Sequence, residues 1–154
     1  MRISRKSDYA LRAIFHLAGV EPGKPVSVRE VASQNDVPRR FLENIMVEMK
    51  DAGWVKSIPG RDGGYSLAKS PKDITIGEIV RRFDGVLSPI GCVSVSNYVP
   101  CSQECRCSFR RVLLEIRNYT VRLMEGANIS AIMSGQVVTN DEVFSDELID
   151  GLGI

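Results

Sequence analysis

Four cysteines lie within sixteen consecutive positions of this 154-residue chain, and the sequence contains no other cysteine. They are Cys92, Cys101, Cys105 and Cys107. Thiolates bind transition metals and iron-sulfur clusters, and they also act as nucleophiles in reversible redox chemistry. The spacing therefore marks one segment for a metal-binding or redox-sensing function.

The composition and the lack of targeting signals indicate the compartment in which this chemistry would take place. The chain is 44% hydrophobic, which is enough to bury a core without disulfide bonds. Its first residues contain no apolar run with a cleavage site, and no stretch is long enough to span a bilayer. We therefore expect a cytoplasmic protein with no membrane partner. In that reducing compartment, clustered cysteines more often bind metal or carry out redox chemistry than form permanent disulfides.

The distribution of charge says more than the net charge of +1. Residues 1–69 hold twelve Lys or Arg against eight Asp or Glu, whereas residues 126–154 hold five acidic and no basic residues. The front of the chain is therefore the candidate for phosphate contacts. Residues 135–154 are predicted to form an acidic, loosely docked tail.

The front of the chain has the pattern of a helix-turn-helix. Apolar residues at helical spacing predict a first helix over residues 4–18. Ser27, three residues before Glu30, forms a capping-box pattern that starts a second helix. A break at residues 35–38 leads into a third helix, in which Pro38 takes the first position and Gly53 marks the end. The apolar side of this third helix is predicted to contain Phe41, Leu42, Ile45, Met46 and Met49.

A β-hairpin is predicted directly after these helices. Residues 54–58 and 65–68 have strand composition, and the intervening residues 59–64 are typical of a turn. Because a strand rather than a helix follows Gly64, a phosphate-binding glycine loop is excluded. The order of helix, helix-turn-helix and hairpin predicts a winged helix-turn-helix over residues 1–84, mainly α with a small β-hairpin.

In a winged helix, the second helix of the helix-turn-helix enters the major groove of DNA, and the hairpin tip reaches the backbone or minor groove. Two arginines side by side on a helix are more often ordinary solvated charges, but the order of elements here favours DNA binding. The predicted DNA contacts are Ser27, Pro38, Arg39, Arg40, Glu43, Asn44 and Arg61.

The second half of the chain is predicted to connect the cysteines to a subunit interface. Residues 85–107 form a long loop that contains all four cysteines, and loops of this length are usually functional or disordered. Residues 108–134 are predicted to form dimerisation helices, the last of which, residues 128–133, packs back on the dimer. An apolar seam must pack against something, and we favour a symmetric homodimer on a palindromic operator over packing on its own domain. The seam consists of Phe109, Val112, Leu113, Ile116, Tyr119, Thr120 and Leu123.

Several motifs together resemble the Rrf2 family of bacterial transcription regulators. The resemblance covers roughly residues 1–134. It implies a winged-helix dimer whose cysteine loop can hold an iron-sulfur cluster, as in the family's iron-sulfur assembly regulator and nitric-oxide-sensing repressor branches. The motifs are Met1-Arg2-Ile3-Ser4 with Tyr9-Ala10, Phe41-Leu42-Glu43, residues 52–57, residues 63–68 and the cysteine loop.

The same resemblance implies three cluster ligands. Family members with clusters use three cysteines with five residues between the last two, as found here between Cys101 and Cys107. Cys92 is then the first ligand, although eight residues separate it from Cys101 instead of the usual five. The cluster would be of the 4Fe-4S or 2Fe-2S type.

The fourth ligand stays open between two residues. The histidine of the iron-sulfur assembly branch falls at Arg110, which cannot bind iron. The nitric-oxide-sensing branch uses an aspartate from the first helix of the partner subunit, and that position here is Asp8. Cys105 is surplus to both patterns, and it could instead complete an all-cysteine site.

Two other chemistries compete with a cluster. Zinc is disfavoured because the chain lacks paired C-x-x-C motifs. Reversible thiol oxidation remains open, with Cys105 and Cys107 flanking the basic Arg106. The predicted function is a dimeric repressor whose cluster senses redox state, nitric oxide or iron-sulfur status, with a cluster-free thiol-based regulator as the alternative. A cluster-bearing enzyme or electron carrier is less favoured, since no catalytic base, nucleophile pair or cofactor loop is found.

Overall fold

The computed structural model describes residues 2–85, 87–135 and 137–143. Within these residues the chain forms seven α-helices and one two-stranded antiparallel hairpin. Single turns of 3-10 helix lie at Pro71–Asp73 and Gly91–Val93. The main elements are α1 (Arg5–Ala18), α2 (Val28–Gln34), α3 (Arg39–Asp51), β1 (Val55–Ile58), β2 (Gly64–Leu67), α4 (Ile76–Asp84), α5 (Arg110–Gly126), α6 (Ile129–Met133) and α7 (Asn140–Val143).

Helices α1, α2, α4 and α6 begin after a capping side chain. The Ser4 hydroxyl accepts a hydrogen bond from the Ser7 N–H (3.2 Å), and the Ser27 hydroxyl accepts one from the Glu30 N–H (3.1 Å). Thr75 starts α4 with a complete capping box, in which Glu78 also accepts from the Thr75 N–H. Caps of this kind contribute about 1 kcal/mol each to helix stability.

The turn of the helix-turn-helix is fixed by α1. Asp36 in this turn has a φ of 53°, a left-handed conformation that aspartate tolerates better than most residues. The Asn35 side chain donates to the Val31 carbonyl (2.8 Å) and lies 3.1 Å from His16 Nδ1. Arg12 donates to the Asn35 carbonyl (3.1 Å). Helix α1 therefore sets the angle between α2 and α3.

A single hydrophobic core joins these helices to the hairpin and α4. Helix α3 contributes four residues that are fully buried, and Trp54 and Val55 continue the core into the hairpin. Helix α1 packs against α3 and α4, and its Lys6 pairs with Glu48 of α3 (2.7 Å). Core residues with no exposed surface are Ala10, Ile14, Val31, Leu42, Ile45, Met46, Met49, Ile74, Ile79 and Ile129.

The hairpin is anchored to the start of the helix-turn-helix. Strands β1 and β2 pair from Val55 opposite Leu67 to Ile58 opposite Gly64. Val26, just before α2, exchanges two backbone hydrogen bonds with Tyr65 (2.9 and 2.8 Å). Gly64 permits this approach, because a Cβ at that position would lie 2.3 Å from the Val26 carbonyl oxygen. The predicted wing is thus confirmed, with its base fixed beside α2.

The cysteine loop is more ordered than its length suggests. Four of its residues are buried: Leu87, Cys92, Val93 and Ser94. The Gly91 carbonyl accepts from the N–H groups of Ser94 (3.0 Å) and Val99 (3.1 Å), which folds the loop on itself. The loop packs against α5 through its 3-10 turn.

Helices α5 and α6 differ in how they pack. Helix α5 contacts α4 but has no buried residue along its 17-residue length. In α6, by contrast, Ile129 is completely buried in the winged-helix core, and its N–H donates to the Ile74 carbonyl (2.9 Å). The expectation that α6 packs back on a dimer stays a prediction, whereas its Ile129 side chain packs on its own domain. The reason is the backbone pairing of Asn128 with Thr75, which directs α6 onto its own domain.

The described part of the predicted tail is exposed. Residues 137–143 contain α7 and bury no side chain. The rest of the predicted acidic tail, residues 144–154, lies outside the described residues. None of the described helices is both long enough and apolar enough to cross a membrane.

Candidate functional site

The start of α3 presents a polar face to solvent. Pro38, Arg39, Arg40 and Asn44 are all exposed. Arg39 pairs with Glu43 one turn later (2.9 Å), so these two predicted contacts restrain each other. Arg40 forms no hydrogen bond or ion pair within residues 2–85, 87–135 and 137–143, and its guanidinium is free to bind a phosphate or a guanine edge.

Phe41 departs from the predicted pattern. It was expected on the buried side of α3, but 44% of its surface is exposed. Its ring meets Tyr9 of α1 edge-on, with centroids 5.7 Å apart. The ring lies at the edge of the α1–α3 contact. Sequence periodicity alone could not place this edge.

The remaining predicted DNA contacts lie around the wing. Arg61 is exposed in the hairpin turn, whose Gly60 has a φ of 117°. Ser27 is exposed, and its hydroxyl caps α2 while its own proton remains available to a phosphate. The Val26–Tyr65 pairing places the base of the wing next to Ser27. The start of α2 and the wing therefore belong to one rigid unit.

The four cysteines have unequal environments, and all are free thiols. Cys92 is buried, Cys107 is half-buried, and Cys101 and Cys105 are exposed. Cys92 and Cys107 line one cavity of about 540 Å³ between the loop and α5, together with Tyr98, Arg110 and other residues. The described residues contain no group of three or more His, Cys, Asp or Glu side chains arranged to hold a metal ion. The thiol donors suit an iron-sulfur cluster chemically, but one chain brings only two of them to this cavity.

Glu104 holds the cysteine loop together, a role that the sequence analysis missed. Its carboxylate accepts from the Tyr98 hydroxyl (2.8 Å) and the Cys101 N–H (3.0 Å), and it pairs with Arg110 (3.1 Å). Arg110 in turn donates to the Cys92 carbonyl oxygen (2.8 Å). We call Tyr98, Glu104 and Arg110 the loop clasp. It links the first two cysteines to the start of α5.

The loop clasp shifts the acidity of its members. Hydrogen bonds from the Tyr98 hydroxyl and the Cys101 N–H lower the pKa of Glu104, and the Arg110 charge lowers it further. The hydrogen bond to Glu104 raises the pKa of Tyr98. Arg110 occupies the position expected for a histidine ligand in one branch of the family. Its guanidinium holds a backbone carbonyl there instead.

Asp8 lies on α1 away from this clasp. Its carboxylate pairs with Arg12 one turn later (3.0 Å), and about half of both side chains is exposed. The hydrogen bond and charge of Asp8 raise the pKa of Arg12. Within the described part of one chain, Asp8 joins no ligand group with the cysteines.

Known proteins share the sequence pattern and the fold of this chain. A family model described as Rrf2, iron-dependent transcriptional regulator, matches residues 3–135. The chain belongs to the Rrf2 family. This match spans the winged helix, the cysteine loop, α5 and α6.

Individual relatives agree with this assignment. An Rrf2-like HTH-type transcriptional regulator of Rhodobacter capsulatus is 42% identical over 120 residues, which cover 74% of this chain and 80% of that protein. NsrR of Bacillus subtilis is 29% identical over 115 residues, covering 75% and 78%. The solved structure of CymR, described as the global cysteine regulator of Bacillus subtilis, has a TM-score of 0.76 at 28% identity and covers 89% of this chain and 99% of its own.

These comparisons confirm the predicted winged-helix fold and the family. The relatives are named as transcription regulators and not as enzymes, so the prediction of a non-enzymatic, DNA-binding regulator is confirmed. The individual DNA contacts and cluster ligands stay predictions.

Proposed function

We propose that this Rrf2-family regulator is a homodimeric repressor whose affinity for a palindromic DNA operator is set by an iron-sulfur cluster. Cys92, Cys101 and Cys107 would hold the cluster, of the 4Fe-4S or 2Fe-2S type. The main support is that the cysteine loop packs against α5, and α5 packs against α4 of the winged helix. A change at the cysteines would therefore alter the position of the DNA-binding unit.

The exposed face of α5 supports a dimer. Phe109, Val112, Ile116, Tyr119 and Leu123 are spaced three and four residues apart, and each is 46–65% exposed. This is the spacing of a coiled-coil seam, and a 17-residue helix extends it over about 26 Å. Leu113 and Thr120 of the predicted seam are half-buried, so they lie nearer the chain's own surface. A symmetric pair would give two winged helices for two half-sites.

Two residues compete for the fourth ligand position. Asp8 is partly exposed on α1, so in a dimer it would be available to the cysteine loop of the second subunit. Cys105 is exposed in the loop itself and would give an all-cysteine site. We favour Asp8 because three cysteines and an aspartate match the nitric-oxide-sensing pattern in the sequence.

The protein's own residues would orient the site. A bound cluster supplies iron that reacts with nitric oxide or oxygen. Arg110 holds the Cys92 backbone through its carbonyl, and Glu104 holds the Cys101 backbone through its N–H. Both residues are joined by an ion pair at the start of α5. They would therefore transmit a change in loop conformation to the helix.

The cluster is tested by anaerobic purification and reconstitution, followed by absorbance and by iron and sulfide counting. Wild type is expected to be brown, and Cys92→Ser, Cys101→Ser and Cys107→Ser are each expected to lose most of the iron. Asp8→Ala and Cys105→Ser form the matched pair for the fourth ligand, since only one of them should destabilise the cluster. A protein that stays colourless after reconstitution would refute the cluster proposal.

DNA binding is tested separately with a palindromic promoter fragment at low salt. Binding is expected to change when the protein is exposed to nitric oxide or oxygen, and to weaken as salt rises because counterions are released from the phosphates. Absence of any binding at low salt would contradict the operator proposal and leave the cluster measurement unaffected.

A thiol switch is the second candidate. It is favoured by the exposure of Cys101 and Cys105, which are accessible to oxidants. The basic Arg106 lies between Cys105 and Cys107. This candidate predicts colourless protein whose DNA binding changes with peroxide and is restored by a reducing agent. The Cys105→Ser variant should abolish that response.

A further inference from the structure

A second cavity lies beside the cysteine cavity. It has a volume of about 310 Å³ and is formed by α4, the cysteine loop and α5. We call it the α4–α5 cavity. Its volume falls at the lower end of the range for small-molecule sites. Its lining residues are Arg81, Leu87, Ser88, Ser94, Val95, Ser96, Arg117 and Val121.

Arg117 is the unusual residue of this cavity. Its Nε is buried and has no hydrogen-bond partner. No ion pair or hydrogen bond involves its side chain within residues 2–85, 87–135 and 137–143. Only the Nε is enclosed, so a ligand in the cavity would meet the terminal nitrogens of the guanidinium. An unpaired guanidinium that lines a cavity is suited to bind an anion there.

The surroundings define the class of anion. Two arginines line the cavity: Arg81 pairs with Glu125, whereas Arg117 has no ion-pair partner among the described residues. A guanidinium binds a carboxylate through two parallel hydrogen bonds. The hydroxyl groups of Ser94 and Ser96 line the same space and offer further donors.

The apolar part of the lining defines the rest of the ligand. Leu87, Val95 and Val121 form a wall that would contact a short hydrocarbon chain. A phosphate dianion would find only one free positive charge and would leave this wall without a partner. A monocarboxylate with a short aliphatic chain fits both the charge and the wall.

We propose that the α4–α5 cavity binds a small aliphatic carboxylate through Arg117. Arg117 also lines the cavity that contains Cys92 and Cys107, so the ligand would bind beside the sensor segment. The Arg81–Glu125 pair joins α4 to α5 at the same cavity, and the ligand would therefore stabilise one arrangement of these helices.

The test is a calorimetric titration of the full-length protein with acetate, propionate and butyrate at constant ionic strength. Butyrate is expected to bind with a Kd on the order of 1 mM. Affinity should increase up to about fourfold with each added methylene group, as the chain covers the apolar wall. Arg117→Gln should weaken butyrate binding at least tenfold.

Arg122→Gln is the matched control, because Arg122 is exposed on the same helix and lines neither cavity. It should bind butyrate like the wild type. If Arg117→Gln does not fold, Val121→Phe tests the same claim by filling the cavity, and it should also abolish binding.

Three results would overturn the proposal: no saturable binding of any carboxylate, equal binding by the Arg117→Gln variant, or binding of inorganic phosphate in preference to butyrate. The titration measures binding directly, so a failure here is distinct from a failure of DNA binding or cluster binding.

Discussion

Helices α3 and α5 both have an apolar stripe, yet the chain buries one and leaves the other exposed. In α3, Leu42, Ile45, Met46 and Met49 have no exposed surface. In α5, no residue is buried along a longer helix. The same amphipathic pattern therefore has two outcomes within one molecule.

The difference separates a winged helix that forms its own core from a helix whose apolar stripe is left exposed. The winged-helix unit completes its own core, since α1, α2 and β1 pack against α3, and α4 and α6 pack against α1. Among the described residues, α5 packs mainly against α4 and the cysteine loop, and its outer stripe stays exposed. A rigid DNA-binding unit is thus attached to an element whose packing depends on its partners.

The largest expected effect compares one substitution in both helices. Leu42→Ala should lower the free energy of unfolding by about 3 kcal/mol, because it removes a fully buried side chain and leaves a cavity. Leu123→Ala, which truncates a side chain that is 59% exposed, should cost much less and only through subunit association. Urea unfolding at several protein concentrations measures both. If both variants lose the same free energy of unfolding at every protein concentration, α3 and α5 do not differ in how their apolar stripes are packed.

The next effect concerns the α5 stripe itself. Ile116→Glu should weaken dimer association at least about 100-fold, or roughly 2.7 kcal/mol, since two charges would enter an apolar interface. Arg122→Glu, outside the stripe, is the control. Sedimentation measures the dimer and circular dichroism measures the winged helix. A variant that remains dimeric would show that the stripe is not the interface.

A smaller effect is expected at the DNA face of the rigid unit. Arg40→Ala should weaken specific operator binding by about 1–3 kcal/mol, because its guanidinium has no partner within the described residues and is available to a base or phosphate. Arg122→Ala should leave the affinity unchanged. A salt series separates the two roles: a lower salt dependence indicates a phosphate contact, and relaxed sequence preference indicates a base contact. An unchanged operator affinity in Arg40→Ala would show that Arg40 does not contact the DNA.

The same contrast explains what could be predicted from the sequence. The winged helix was predictable because its signals are local: Ser27 caps α2, the apolar periodicity marks α3, and the glycine-rich turn marks the wing. The burial of Ile129 was not predictable, because it depends on backbone pairing between Asn128 and Thr75, which lie 53 positions apart in the sequence. The caps at Asn128 and Thr75 could have indicated two helix starts, but not that they meet.

In the cysteine loop, the identity of the thiols was evident but their arrangement was not. The separation of Cys92 and Cys107 from the two exposed cysteines depends on side-chain packing against α5. Glu104 lies three residues after Cys101, a spacing typical of a turn closed by a side chain, and this was the one local sign of the loop clasp. The residue type of Arg110 did not indicate that its guanidinium holds the Cys92 carbonyl and pairs with Glu104.

The smallest expected effect tests the loop clasp by its acidity. The pKa of Glu104 is lowered in the folded chain, so its stabilising contribution is present above the ordinary carboxyl pKa and is lost as pH falls through the lowered value. The pKa of Tyr98 is raised, so its contribution is present below the ordinary phenol pKa and is lost as pH rises through the raised value. The loop clasp should therefore hold across neutral pH and open at both extremes.

Glu104→Gln separates charge from hydrogen bonding, because the amide still accepts a hydrogen bond but carries no negative charge. In this variant the pKa of Tyr98 should fall toward its ordinary value of about 10. Ultraviolet titration measures it, and Tyr98→Phe identifies its signal among the four tyrosines. Glu115→Gln, which removes only the exposed pair with Arg111 on α5, is the control. If the pKa of Tyr98 in Glu104→Gln is the same as in the wild type, the loop is held by packing alone, as the winged-helix core is.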